Sequence, residues 1–394
     1  MNSNIKNIFN TALLFAISFS LPFYNISING RSLIFFIFLL FVVIFFTGFI
    51  NIRKKYPLEI IILIFLCLYK LLSIIWSIDP IHTKEVAIYT SIPILILTIF
   101  FFNFIRNIND LNFLLKIYTL ACFVFAVFVL FNFFSRPEDL VLNIKNSRTS
   151  AFNTNPNEVS FFMIYGIVIL FYLNDLKRFN KIIINFLILI FISVIILTGS
   201  RAGLVNLIFI LIFFLTSKRN FYWFLSFLVI TFLIYYFFID LQSDKIIFRY
   251  KNLIKLFSDH PDFFREGYRG WVVVNGLSNF FDKSIFYQIF GIGYEGFGKL
   301  MYENQGISIS HHNQLLGYLI ELGFFGFIIK LTLFAIIFKK VLKLTKYYSS
   351  IFFLFIIPIY SYMLTAGYDA KFFFYFFIII ILKFYEFLIL KKNK

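Results

Sequence analysis

The sequence predicts an all-α polytopic membrane protein with about twelve transmembrane helices, since a bilayer core of about 30 Å takes about 20 apolar residues per helix. A long, partly helical outside loop separates the ninth span from the tenth. Three observations lead there. Of the 394 residues, 61% are hydrophobic and 14% charged, with a mean hydropathy of +0.88. Soluble domains carry about 45–50% and about 25% of these classes. The polar side chains are therefore too few to cover a water-facing surface, and the apolar ones too many for disorder. The apolar residues gather in runs of bilayer length. The basic excess, 36 Lys and Arg against 19 Asp and Glu for a net charge of +17, sits in short clusters between those runs.

Taken in order, the runs are 8–28, 33–50, 58–76, 86–105, 111–134, 159–173, 181–198, 202–217, 221–239, 312–337, 349–366 and 372–390. The first has no small-residue cleavage site after it, so a retained anchor is expected rather than a removed signal. With the N-terminus inside, the inside segments hold Lys6, Arg53-Lys54-Lys55, Arg106, Lys177, Arg178, Lys181, Lys218, Arg219, Lys339, Lys340, Lys343, Lys346, Lys391, Lys392 and Lys394. The short outside segments hold only Arg31, Lys84, Arg136, Lys145, Arg148, Arg201 and Lys371. Cytoplasmic segments retain Lys and Arg, so both termini are expected in the cytoplasm, and an even number of spans agrees with it.

Three regions follow. Residues 1–239 carry spans one to nine with an outside loop at 135–158, residues 240–311 form the long outside loop, and residues 312–394 carry spans ten to twelve. A loop so long is usually functional, and its amphipathic stretches predict a small folded cap of short helices. Basic clusters alternating with apolar runs belong to membrane topology, so no nucleic acid partner is expected. Cys67 and Cys122 both lie in apolar runs and form neither a disulfide framework nor a metal cluster. Lys70, Lys330 and Lys383 lie near span ends, where the ammonium is expected to snorkel to the interface.

Four polar motifs interrupt the pattern. Thr198-Gly199-Ser200-Arg201-Ala202-Gly203 joins two spans almost without a loop. It reads as a tight turn with a snorkelling Arg, or as a guanidinium held at the membrane surface to make bidentate bonds to a phosphate. In Arg265-Glu266-Gly267-Tyr268-Arg269-Gly270-Trp271, Arg269 and Arg265 either belong to a solvated loop or face a polar cavity beside Arg201 and bind the anionic part of a substrate. Gly291-Ile292-Gly293-Tyr294-Glu295-Gly296-Phe297-Gly298 fits G-x-G-x-x-G, yet lacks the strand, helix and acidic residue of a dinucleotide site. A close-packed glycine turn is expected instead.

Ser310-His311-His312-Asn313-Gln314 stands where the long loop re-enters the membrane, and Glu321, Gly323 and Gly326 follow on an apolar helix. Adjacent histidines cannot share one helix face, and H-E-x-x-H is absent, so no metal is expected. An imidazole at the boundary suits general-base work, because ordinary histidines titrate near neutral pH. Equally, Ser310 or Asn313 can simply cap the helix start. Glu321 lies about two and a half turns in, at a depth where an acid is costly unless paired.

At these residues the chain resembles the O-antigen ligase and polymerase superfamily of bacterial envelopes. His312-Asn313, nine residues, then Gly323-x-x-Gly326 is similar to the motif H-[N/S/Q]-x9-G-x-x-G. The Thr198–Gly203 hairpin resembles T-x-S-R-A-G, Arg269 resembles the loop arginine, and Asn155-Pro156-Asn157-Glu158 resembles the N-P-N segment. The twelve-span layout with a late outside loop extends the resemblance over essentially the whole length.

The resemblance implies a metal- and cofactor-free glycosyltransferase of the bacterial inner membrane, working at the periplasmic face. Its donor would be a glycan on undecaprenyl diphosphate. The acceptor would be a sugar hydroxyl of lipid A–core for a ligase, or another lipid-linked repeat for a polymerase. Ligase is the expectation, with polymerase the alternative. Carried over by position, Arg201 and Arg269 would stabilise the departing diphosphate and His312 would take the acceptor's proton, with inversion at the anomeric carbon. Arg265, Asn313, His311 and Glu321 would contribute to substrate binding, and a register shift would make His311 the base. Membrane lipid surrounds the site, and a chain-length regulator is a possible partner. From another class, a transporter of lipid-linked glycan also suits twelve spans. Such proteins place broken helices and ionisable residues at the midplane, whereas here the polar motifs cluster at one face. A scaffold without chemistry leaves the long loop unexplained.

Overall fold

The structure, a computed structural model, describes residues 3–23, 27–28, 31–32, 56–135, 150–152, 154–176, 180–216, 268–311, 313–365 and 372–390. The expected spans 33–50 and 221–239 lie outside the described residues. The other apolar runs are helical over most of their length. Apart from a two-residue antiparallel ladder, β1 (Ser27–Ile28) with β2 (Arg31–Ser32), the described elements are helices. In chain order these are α1 (Ser3–Ser20), α2 (Leu58–Leu72, extended by a 3-10 turn Ser73–Trp76), α3 (Pro80–Phe104), α4 (Ile108–Phe134), α5 (Pro156–Asp175), α6 (Lys181–Leu197) and α7 (Arg201–Thr216). There follow α8 (Tyr268–Phe281), α9 (Ile285–Phe290), α10 (Phe297–Gln305), α11 (Gln314–Tyr347), α12 (Ile351–Leu354), α13 (Ile357–Thr365) and α14 (Phe372–Tyr385, continued by a π turn Glu386–Leu390).

Among the described residues, five helices are long and apolar enough to cross a membrane: Leu58–Trp76, Pro80–Phe104, Ile108–Phe134, Pro156–Asp175 and Gln314–Tyr347. The apolar stretches Thr11–Phe23, Lys181–Leu197, Ala202–Phe213 and Ile351–Tyr362 are shorter. The exposed face of α2 shows what surrounds them. Leu58, Ile61, Phe65, Leu68, Leu72 and Ile75 recur every three or four residues and are all exposed, whereas Lys70 on the opposite face is fully buried. A helix apolar on its outer face and polar within is suited to lipid, not water. The chain is an all-α membrane protein.

The chain divides into two compact units, residues 1–2, 38–111 and 261–394 in the first and residues 3–37 and 112–260 in the second. In the first, α2, α3, α11 and α14 pack together, and α9 lies against α11. Val272, Phe280, Phe297, Leu300, Leu316 and Ile320 form a small core joining α8, α10 and the start of α11. The long loop thus contains three helices within its described part. At the lysine-rich end, Lys340 Nζ meets the Glu59 carboxylate at 2.8 Å, tying α11 to α2.

In the second unit, α5 packs against α6 and α7 and is buried along nearly its whole length. Asn155 caps α5, its side chain accepting from the Asn157 N–H, with Pro156 at the first helical position. Tyr118 on α4 donates to the Phe162 carbonyl of α5 at 3.3 Å.

Candidate functional site

The polar site of the first unit is built where α11 starts and then breaks. Asn313 caps the helix, its Oδ1 accepting from the Leu315 and Leu316 N–H groups at 3.0 and 3.1 Å. Seven residues beyond Gln314, Glu321 turns into the protein and is 3% exposed. Its Oε1 lies 3.7 Å from Nε2 of His311, itself 6% exposed. That separation is within ion-pair range and longer than a hydrogen bond. The imidazole stands edge-on to Phe297 and against the backbone of Gly317, where a Cβ would come within 2.5 Å of Nε2.

Gly323 then interrupts the helix, with φ 67° and ψ −176°, a conformation that side chains exclude. A Cβ there would lie 2.3 Å from the Ile289 carbonyl oxygen, because the 289–294 segment threads the break. Carbonyls that lose their helical partners need new donors. Ile292 N–H donates to the Ile320 carbonyl at 3.1 Å and Gly293 N–H to the Glu321 carbonyl at 3.0 Å. On the other side of the segment, Ile78 N–H donates to the Ile292 carbonyl at 2.9 Å, and Tyr294 N–H donates to Ser73 Oγ at 3.1 Å. Tyr69 donates its hydroxyl to the Phe290 carbonyl at 3.0 Å, and a Cβ on Gly326 would strike Cβ of Leu322 at 2.4 Å and crowd the Tyr69 ring at 3.2 Å. The G-x-G-x-x-G stretch is thus a close-packed turn: a Cβ on Gly291 would strike the Glu321 carbonyl, and one on Gly293 would strike Ser77.

A small pocket open to solvent, with enclosed room for no more than about one water molecule, is lined by Tyr294, Glu295, His311, Gln314, Gly317, Tyr318, Glu321 and Leu322. Glu295 sits in it with φ 59°, a conformation rare for a side-chain-bearing residue and found most often at functional sites. Behind the two tyrosines lie two lysines. Lys70 Nζ is 4.3 Å from the ring centre of Tyr294 and 5.3 Å from that of Tyr318. Lys330 Nζ donates to the hydroxyls of Tyr318 at 3.0 Å and Tyr375 at 3.3 Å. Lys70, Lys330 and Lys383, expected from the sequence to snorkel, are instead fully buried. Aromatic faces, phenol oxygens and, for Lys383, the Glu386 carboxylate at 3.0 Å hold the charge that water would otherwise solvate.

In the second unit, two of the sequence motifs meet. Ser200 Oγ donates to Asn157 Oδ1 at 2.9 Å and accepts from the Gly203 N–H at 3.1 Å, so one hydroxyl caps α7 and ties it to the N-P-N segment. Gly199 makes the turn with φ 57°. At Gly203 a Cβ would lie 2.5 Å from Cβ of Ser160, so α5 and α7 cross at a distance only glycine permits.

Of the expected site residues, His311, Asn313 and Glu321 therefore stand together in the first unit. Arg201 is the first residue of α7 and Arg269 the second of α8; their side chains, together with Arg265 and His312, lie outside the described residues. Sequence reasoning missed Tyr294, Glu295, Gln314, Tyr318 and the two lysines. Gln314, Tyr318 and Glu321, at i, i+4 and i+7, are a polar stripe that helical spacing makes readable. The lysines had no such signal, because Tyr294 and Tyr318 lie far from Lys70 in the chain, while Lys330 meets Tyr318 twelve residues earlier in α11, across the Gly323 break, and Tyr375 from α14. Chemically, the site offers an imidazole with a carboxylate 3.7 Å away, at the start of a helix long and apolar enough to cross a membrane, and that imidazole can accept a proton from a hydroxyl brought to it. No protein-family model matches the chain, and no curated protein matches it.

Proposed function

We propose that the chain is a glycosyltransferase of the O-antigen ligase type, moving a glycan from undecaprenyl diphosphate to a hydroxyl of lipid A–core. In this reading it has twelve spans, both termini in the cytoplasm, and its site at the periplasmic face of a bacterial inner membrane. The observation that carries it is the His311–Glu321 pair, buried in a cavity that opens at the start of a broken, membrane-crossing helix. The acceptor oxygen attacks the anomeric carbon as an imidazole takes its proton, and the bond to the diphosphate breaks. The diphosphate leaves as an anion, and Arg201 and Arg269 are the guanidiniums that the resemblance assigns to its charge. His312 is the base by family register, and His311 is the imidazole beside Glu321.

Arg201→Ala, Arg269→Ala and the His312→Ala or His311→Ala variant that removes the base leave the protein in the membrane while long-chain lipopolysaccharide disappears from a gel. Normal ladders from all of these would end the proposal. Polymerase action on lipid-linked repeats is separated in a deletion strain. Loss of a ligase leaves bare core with polymer on the carrier, whereas loss of a polymerase leaves core with one repeat.

A second reading, transport of lipid-linked glycan, has its own support. The Gly323 break and buried Lys330 are features that transporters place within the membrane. Flipping by the purified protein in liposomes, without glycan transfer, would favour it.

A further inference from the structure

The connection between α8 and α9 is polar, with Asp282 and Ser284 exposed. The helix that follows is not. On α9, Ile285 is 72% exposed and Phe286 and Ile289 are exposed beside it, with exposed Phe281 at the end of α8. Only Tyr287 turns inward to the small core. In a segment of sequence that reads as an aqueous loop, four bulky apolar side chains directed outward have no reason to be there.

The neighbours of this face fix its depth. Lys339 is the first cation at the lysine-rich end of α11, and from it the helix runs unbroken back to Phe324, against a hydrocarbon core about 30 Å thick. Phe324 and Phe325, about 21–23 Å along the helix from Lys339 at ~1.5 Å per residue, therefore lie inside the core. Both are exposed, as are Ile328 and Leu331 further along, so this face of α11 is in lipid. Phe281 packs on Phe324 at 6.4 Å between ring centres, and Phe290 on Phe325 at 6.4 Å. Trp76, at the end of the lipid-facing α2, meets Phe286 edge-on at 6.5 Å and Phe290 at 6.2 Å. Tryptophan favours the headgroup boundary. The exposed face of α9 is thus continuous with the lipid-facing surfaces of two spans, at the level of the outer boundary.

We infer that α9, with the end of α8, is a membrane-embedded interfacial helix whose Phe281, Ile285, Phe286 and Ile289 dock among the acyl chains of the leaflet at this end of α11. Asp282 and Ser284 remain at headgroup level, and Gln288 satisfies the turn by donating to the Phe281 and Lys283 carbonyls at 2.9 and 3.0 Å. The consequence reaches the cavity. Directly after α9 the chain enters the break of α11 and supplies Tyr294 and Glu295, so the wall of the site is anchored in lipid rather than in a soluble cap. This rests on the membrane placement of α2 and α11 and not on the glycan-transfer reading.

The test uses the full chain in phospholipid vesicles. Nitroxide labels on single cysteines replacing Ile285, Phe286 and Ile289 are compared by oxygen and nickel-chelate accessibility with labels at Ile328, in lipid, and Asn304, an exposed residue of α10. Oxygen-dominated relaxation matching Ile328 is expected. Nickel-dominated relaxation matching Asn304 overturns the inference, and so does a label shielded from both reagents, which would mean a protein partner or a second copy. The unmodified protein gives an independent reading. With a phospholipid bearing a photoactivatable carbene on its acyl tail, adducts are expected on the tryptic peptide from Ser284 to Lys299. Adducts on 324–331 with none on 285–290 would overturn the inference whatever the fate of the cysteine variants.

Discussion

A buried lysine amine near the middle of a membrane is a costly feature, and among the described residues Lys330 is one. Lys330, about 14 Å along α11 from Lys339 at ~1.5 Å per residue, is close to the midplane of a core about 30 Å thick. It is held by the Tyr318 and Tyr375 hydroxyls, with the Tyr318 ring at 4.3 Å. Such residues persist when they serve function or specificity rather than stability. Lys330→Ala removes the stem and leaves two phenols without their donor, and is expected to lower stability by about 2–5 kcal/mol. Lys330→Met keeps the volume and removes the charge, and is expected to stay within about 1–2 kcal/mol of the parent, because the two hydroxyls, 3.4 Å apart, can then bond each other. Thermal unfolding of the detergent-solubilised variants measures both. A Met variant that folds like the parent yet fails to build long-chain lipopolysaccharide would place Lys330 in the working site.

The helices themselves were legible because a bilayer imposes a length that composition reveals directly, and Asn155, Asn180 and Asn313 mark three of the helix starts. What was not legible is how a helix ends within its own apolar run. Gly323 looks in sequence like one weak helix former among strong ones, yet it is the point where the 289–294 segment enters, and only the contact partner makes it a break. Likewise His311 and Glu321 stood out as polar residues ten apart, but His311 lies outside the helix that carries Glu321, so no helical periodicity describes their meeting. Lys70 was misread because its aromatic partners, Tyr294 and Tyr318, lie more than two hundred residues away in the chain. Gly323→Ala tests this element directly. The new Cβ would stand 2.3 Å from the Ile289 oxygen and 2.5 Å from the Gly291 nitrogen, on a φ of 67°. Backbone atoms cannot yield as a flexible side chain can. Strain of about 1–3 kcal/mol comes from the dihedral alone, and the lost docking of the segment adds to it. The expected outcome is a lower unfolding midpoint, with faster hydrogen exchange of the amides of Ile292 and Gly293. A variant with unchanged exchange there would show that the break does not hold the segment.

For the whole molecule, orientation decides whether the site can meet a lipid-linked donor at all. The charge that sets it is unevenly placed: Lys339, Lys340, Lys343 and Lys346 crowd one end of α11, and the His311–Glu321 cavity lies at the other. Positive segments resist translocation, so the lysine end is expected in the cytoplasm and the cavity on the opposite side. The contact of Lys340 with Glu59 puts that end of α2, which follows Arg53-Lys54-Lys55 in the sequence, on the same side as the lysines, so the two basic clusters share one expected side. Both ends of the argument can be checked without assuming any activity. A fluorescent-protein fusion after Lys346 or at Lys394 is expected to fluoresce, and alkaline phosphatase fused after Asn304 is expected to be active, because each reporter works only on its own side of the membrane. The reverse pattern would turn the cavity toward the cytoplasm. It would then face nucleotide-linked sugars rather than exported lipid-linked ones, and the proposed donor would be out of reach however well the imidazole and carboxylate are arranged.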